Sequence, residues 1–133
     1  MVYIFQKQIT TKDFIMKYLF LEYPKCTTCQ KAKKWLEEHQ IDFTDRHIVE
    51  NNPTAEELKL WYQKSGLPLK RFINTSGLLY KSMNLKDKLP QMSDEEQLSL
   101  LATNGMLVKR PLLIADNIVL TGFKIQEWES QIS

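Results

Sequence analysis

Lys17-Tyr18-Leu19-Phe20-Leu21, followed closely by Cys26-Thr27-Thr28-Cys29 and then by Gln30 to His39, is the stretch that decides the fold. The first run is apolar and aromatic and predicts a strand, and the last carries helical spacing. Between them lie both cysteines of the 133-residue chain, three positions apart. Chance gives two residues that separation in about 1.5% of arrangements, so the pair merits a functional reading. Strand, tight turn, C-x-x-C and helix, in that order, form a layout for redox chemistry.

The placement has a specific physical consequence. Cys26 falls at the first turn of the predicted helix, where unpaired backbone N–H groups converge. Their dipoles favour a thiolate, and a cysteine so placed ionises well below the free-thiol value of ~8.5. Cys29 lies one turn on, within reach of a sulfur adduct on Cys26. Cys26 is therefore assigned as the nucleophile and Cys29 as the resolving thiol. The competing reading is two buried, inert thiols, since free cysteine is often buried.

Bulk composition narrows the class. The chain has the length of one ordinary domain and can bury a real core. A formal net charge of +2 argues for neither nucleic acid nor a membrane surface as partner. Two cysteines cannot staple a small secreted domain. No apolar run approaches the ~18 residues of a membrane span. Gln6, Lys7, Gln8, Lys12 and Asp13 interrupt residues 1–15, which therefore lack the apolar core of a signal peptide. The expectation is a cytoplasmic protein in which the cysteine pair starts reduced.

The pass along the chain yields one domain over 16–133 with a leader or extended N-terminus over 1–15. Val2 to Phe5 reads as a short strand. Met16 is either the natural start or the point where an appended leader joins the body. From Thr28 to His39, Cys29, Ala32, Trp35 and Leu36 share one helical face. Asp42 to Val49 predicts a second strand, broken at Asn51-Asn52-Pro53. Thr54 caps the next helix with Glu57 as capping box, and Leu58, Leu60, Trp61 and Tyr62 carry it to Ser65-Gly66. Pro68 to Ile73 reads as a helical turn, Asn74 to Gly77 as a loop, and Leu78 to Leu89 as short helical pieces. Ser93 with Glu96 forms a second capping box. Leu98, Leu100, Leu101 and Met106 face inward, and Asn104-Gly105 ends that helix. Leu112 to Ile114 and Ile118 to Leu120, joined at Asp116-Asn117, predict a β-hairpin, and Lys124 to Glu129 a last helix. The fold class is α/β: a thioredoxin-like mixed sheet in the order βαβ … ββα, with a helical subdomain inserted over about 54–105.

Four stretches resemble the Spx/ArsC family of thioredoxin-fold proteins, and most closely its short YusI-type members. They are Tyr23 to Cys29 with the following Lys31 to Glu38, Phe72 to Gly77, Asn104 to Pro111, and Val119 to Lys124. The resemblance implies that Cys26 is the nucleophile, that Arg110 is the arginine facing it, and that Pro111 is a cis-proline at a strand start. A fixed guanidinium near Cys26 stabilises a thiolate and holds an oxyanion. The competing reading makes Arg110 a surface arginine ahead of an edge strand. Lys25, Thr27, Thr28, Asn74 and Pro111 form the implied substrate-binding set. The implied activity is that of an arsenate reductase-like thiol-disulfide oxidoreductase. It has no resident cofactor or metal and is reduced by an external thiol system, glutathione with glutaredoxin or thioredoxin.

The departures from the family matter equally. Glutathione-linked arsenate reductases of this family use one active-site cysteine and several arginines. The positions of the additional arginines fall near Asn74 and Gly122, which supply no such charge. Lys70 and Arg71 read as solvated helix residues. Glu22 stands where those enzymes tend to carry histidine, and a carboxylate beside a thiolate is expected to oppose its ionisation. The second thiol suits the other branch: Spx-type transcriptional regulators carry a C-x-x-C switch and bind the C-terminal domain of the RNA polymerase α subunit, with a glycine at the contact; the resemblance sets Gly66 at that place, and the competing reading is an ordinary helix terminator. The chain ends soon after Trp128, without the longer C-terminal extension of Spx-type proteins.

Other motifs do not reach a function. His39 and His47 miss zinc-finger spacing from the cysteines. Lys31, Lys33 and Lys34 are diluted by Glu37 and Glu38 and read as a solvated helix face. Four glycines form no phosphate-binding loop.

Overall fold

The computed structural model describes residues 17–132, so the strand expected at Val2 to Phe5 lies outside the described residues. Strand β1 (Tyr18–Glu22) leads into helix α1 (Thr27–Glu38) and strand β2 (Phe43–His47). Helices α2 (Ala55–Ser65), α3 (Leu78–Ser82), α4 (Leu85–Lys88) and α5 (Asp94–Leu101) follow, with 3-10 turns at Leu69–Phe72, Leu89–Gln91 and Gly105–Leu107. Strands β3 (Leu112–Ala115) and β4 (Ile118–Thr121) and helix α6 (Ile125–Gln131) complete the chain.

The four strands form one mixed sheet in the order β2-β1-β3-β4. Strand β1 runs parallel to β2 and antiparallel to β3, and β3 pairs antiparallel with β4. This is the βαβ … ββα thioredoxin-like arrangement. Strand alternation divides the core between the two faces. Tyr18 and Phe20 pack with Ala32, Trp35, Leu36, Leu113, Leu120 and Trp128 under α1 and α6. Leu21 joins Ile48, Leu58, Trp61, Phe72, Leu98, Leu101, Leu107 and Leu112 under the inserted helices. Trp128 is fully buried, and its indole N–H donates to the Gly122 carbonyl at 3.2 Å. No helix among the described residues is long and apolar enough to cross a membrane.

Helix boundaries follow local chemistry. Both capping boxes form: Thr54 with Glu57, and Ser93 with Glu96, each side chain accepting from or answering the other's backbone N–H. Gly66 closes α2 in the left-handed region at φ 69°, where glycine carries no steric cost. Leu58 and Trp61 of α2 are buried in the core and Tyr62 packs against it, while Leu60 is 58% exposed. Helix α5 ends at Leu101, three residues before the predicted stop.

Candidate redox site at the start of helix α1

The chain leaves β1 through Tyr23-Pro24-Lys25-Cys26, a turn closed by the Cys26 N–H on the Tyr23 carbonyl at 2.9 Å. Proline suits the second position of such a turn because its φ is preset. The turn delivers Cys26 to the N-cap of α1, where its sulfur accepts the Cys29 backbone N–H at 3.4 Å. A sulfur thus occupies the place usually taken by a Ser or Asp oxygen. No acidic side chain occupies the first turn of α1, so its dipole faces this sulfur without competition from its own helix.

Cys26 is half-buried and Cys29 fully buried, and both are free thiols. Partial burial pushes the Cys26 thiol up. The Cys29 N–H, the Cys29 thiol and the Arg110 guanidinium outweigh it and hold Cys26 below the ordinary thiol value. Cys29 moves the opposite way. Burial pushes it up to about 12, against the Tyr23 backbone N–H, and the adjacent Cys26 sulfur adds to the rise. The two neighbouring sulfurs are therefore chemically unequal: the outer one ionises more readily than an ordinary thiol and the inner one less readily.

Arg110 comes from the far end of the chain, just before β3. Its peptide bond to Pro111 is cis, and Pro111 is buried. The guanidinium carbon sits 5.2 Å from the centre of the Tyr23 ring. Its Nε and Nη1 are buried and have no hydrogen-bond partner among the described residues. A half-buried cation with two buried, open donors beside a cysteine of lowered pKa is an arrangement that accepts an anion's oxygen atoms.

The remaining predicted residues divide. Lys25, Thr27 and Thr28 are exposed around Cys26. Asn74 is engaged elsewhere: its side-chain amide donates to the Met106 carbonyl at 3.2 Å, and its N–H bonds Leu107 at 2.8 Å, fastening the loop to the segment before Arg110. Gly122 has φ 75°, and the Lys109 side chain lies across it, with Cε 3.1 Å from where a Cβ would stand. Arg71 pairs with Glu127 at 3.6 Å and Lys70 is exposed.

Glu22 corrects one expectation. Its carboxyl does not act on Cys26. Strand alternation aims it, like Phe20, at the α1 side of the sheet, where it meets Lys33 at 3.5 Å and bonds Asp45. Burial and the Asp45 carboxyl raise it to about 7 despite the lysine. Tyr23, whose ring lies under Arg110, is marked in the sequence only by its place three residues before Cys26.

A thioredoxin-like sheet with a close cysteine pair at a helix start, followed far along the chain by an arginine before a cis-proline, places the chain in the thioredoxin-like α/β class. The comparisons narrow it. The ArsC family model matches residues 21–131, and the chain belongs to that family. It is similar to YusI of Bacillus subtilis, at 55% identity over 86% of this chain and 97% of that protein. The regulatory protein MgsR of the same organism is 35% identical over 78% of this chain and 81% of its own. Among solved structures, an ArsC family related protein from Bacteroides fragilis is 62% identical with a TM-score of 0.84, covering 86% of this chain and 97% of that one. A possible arsenate reductase from Streptococcus mutans is 42% identical with a TM-score of 0.78, over 84% and 97% of the two chains.

Proposed function

We propose that the protein is an arsenate reductase-like thiol oxidoreductase acting on a small oxyanion. The observation that carries this reading is the pair of buried, unpartnered donors on Arg110 beside the Cys26 sulfur. The Cys26 thiolate displaces one oxygen of the oxyanion as water, forming a sulfur–arsenic bond in the arsenate case. Arg110 and the open N–H groups of α1 hold the remaining oxygens. Cys29, once deprotonated, attacks the Cys26 sulfur. The sulfur–arsenic bond breaks with its electron pair leaving on arsenic as arsenite, and the two thiols end as a disulfide. An external thiol, glutathione with glutaredoxin or thioredoxin, returns the pair to the reduced state. A protein disulfide is the alternative electrophile for the same thiolate.

A coupled assay tests this, with arsenate and a generic disulfide as substrates and glutaredoxin and thioredoxin supplied separately. Turnover of arsenate that disappears in Cys26→Ser is the expected result. Full activity in that variant overturns the reading.

A second reading, a redox-sensing regulator that docks on the RNA polymerase α subunit, rests on the similarity to MgsR and on Gly66. Gly66 stands at the end of α2 with nothing within 4 Å of its Cβ position, an open surface. Pull-down against the α C-terminal domain under reducing and oxidising conditions decides it, and no binding in either state removes it.

A further inference from the structure

The Cys26 site contains a residue whose backbone and ring each meet a different member of it. The Tyr23 carbonyl accepts the Cys26 N–H at 2.9 Å. The Tyr23 backbone also acts on the Cys29 thiol, opposing the rise that burial imposes there. The Tyr23 ring faces the Arg110 guanidinium at 5.2 Å. Its ring is also packed edge-on against His47 at 5.8 Å and 86°. That imidazole is itself anchored, with Nδ1 accepting the Val49 and Glu50 backbone N–H groups at 3.2 and 3.0 Å. The ring is therefore braced from β2.

Arg110 needs such a brace. No ion pair of Arg110 is found among the described residues, and two of its nitrogens are buried without an acceptor. A desolvated guanidinium is attracted to the negative face of an aromatic ring, and the planar cation stacks there in a preferred orientation. We propose that Tyr23 is a positioning residue: its ring face, backed by His47, holds the Arg110 guanidinium over Cys26 with its free donors turned to the incoming anion. The inference rests on the reading of Cys26 as the reactive thiol, and it adds a role for a residue that touches no reacting atom through its side chain.

The test measures the ionisation of Cys26 from its alkylation rate against pH, in a Cys29→Ser background where it is the only thiol. Tyr23→Leu is expected to raise the Cys26 midpoint by about one unit, a roughly ten-fold loss of thiolate at pH below the midpoint. Tyr23→Phe, which keeps the ring face, is expected to retain the parent midpoint. In an Arg110→Met background the Tyr23→Leu shift is expected to vanish, because the ring then has no cation to place. Where Tyr23→Leu does not hold its fold, pentafluorophenylalanine at position 23 keeps the shape, reverses the ring quadrupole and is expected to give the same upward shift. An unchanged midpoint in the folded ring-deficient protein, or an equal shift with and without Arg110, overturns the proposal. An ordinary thiol midpoint in the parent Cys29→Ser protein instead overturns the reading of Cys26 itself, so the two failures are distinguishable.

Discussion

The backbone N–H of Cys29 donates to the sulfur of Cys26 at 3.4 Å, so the inner cysteine caps the outer one through its main chain while its own side chain is buried. The two tasks separate cleanly. Replacing the Cys29 sulfur leaves the cap intact, because the cap belongs to the peptide.

Cys29→Ser is accordingly expected to keep a reactive Cys26 and to lose the ability to clear an adduct from it. Incubation with a disulfide substrate such as a glutathione disulfide should leave a stable mixed disulfide on Cys26, visible by intact mass spectrometry. The native protein should pass through that species to the internal disulfide. Native protein that accumulates the same stable adduct would assign Cys29 no part in resolution.

Arg110→Met removes the cation that helps hold Cys26 below the ordinary thiol value. The Cys26 midpoint is expected to rise by about one unit, and the alkylation rate at pH below the native midpoint to fall roughly ten-fold. Arg110→Lys is expected to recover only part of this, since a point charge reproduces neither the planar fork nor the stack on Tyr23. Iodoacetamide kinetics between pH 5 and 9 measure both; matching profiles for Met and native protein would show that the guanidinium does not act on this sulfur.

What was legible in the sequence was what is local. The strand into C-x-x-C, the capping boxes at Thr54/Glu57 and Ser93/Glu96, and the Gly66 stop each depend on residues within a few positions, and each appears as read. The site's electrostatics depend on strand pairing. Which side of β1 Glu22 faces, and which ring meets Arg110, are decided by sheet order and by a residue from the far end of the chain. Glu22 therefore read as a neighbour of Cys26 and proves to be a partner of Lys33 and Asp45. Gly105 shows the same limit. It reads as a helix stop, yet α5 has already ended, and its real constraint is a close approach between segments.

That approach predicts a severe effect for a small change. A Cβ at position 105 would overlap the Ile48 carbonyl oxygen and lie 2.7 Å from its carbon and 3.0 Å from the Val49 Cα. These are backbone atoms next to β2 and cannot rotate aside. Gly105→Ala is expected to cost about 2–4 kcal/mol, against a few tenths for the open site at Gly66 if left-handed strain there is excluded by choosing Gly66→Asn. Urea denaturation of both variants measures it, and a loss below about 1 kcal/mol for Gly105→Ala would mean that the two segments separate easily.

Glu22 gives a prediction in pH. Its carboxyl titrates near 4.5 in the unfolded chain and near 7 in the fold, with burial and the Asp45 carboxyl as the causes. The proton sits on Glu22 because Glu22 is the buried member of the pair, at 5% side-chain exposure against 40% for Asp45. A raised folded value means that the folded protein binds this proton more tightly than the unfolded chain. The resulting stabilisation is fully present below about pH 4.5 and is lost as pH rises through about 7. Glu22→Gln mimics the protonated carboxyl and removes this dependence. Between pH 5 and 8 the native protein is expected to lose about 1–3 kcal/mol relative to the variant. Unfolding free energies of the two proteins at pH 5, 6.5 and 8 test this directly, since every other titrating group is common to both. Parallel curves would show that Glu22 is ionised throughout, with Lys33 rather than Asp45 governing its charge.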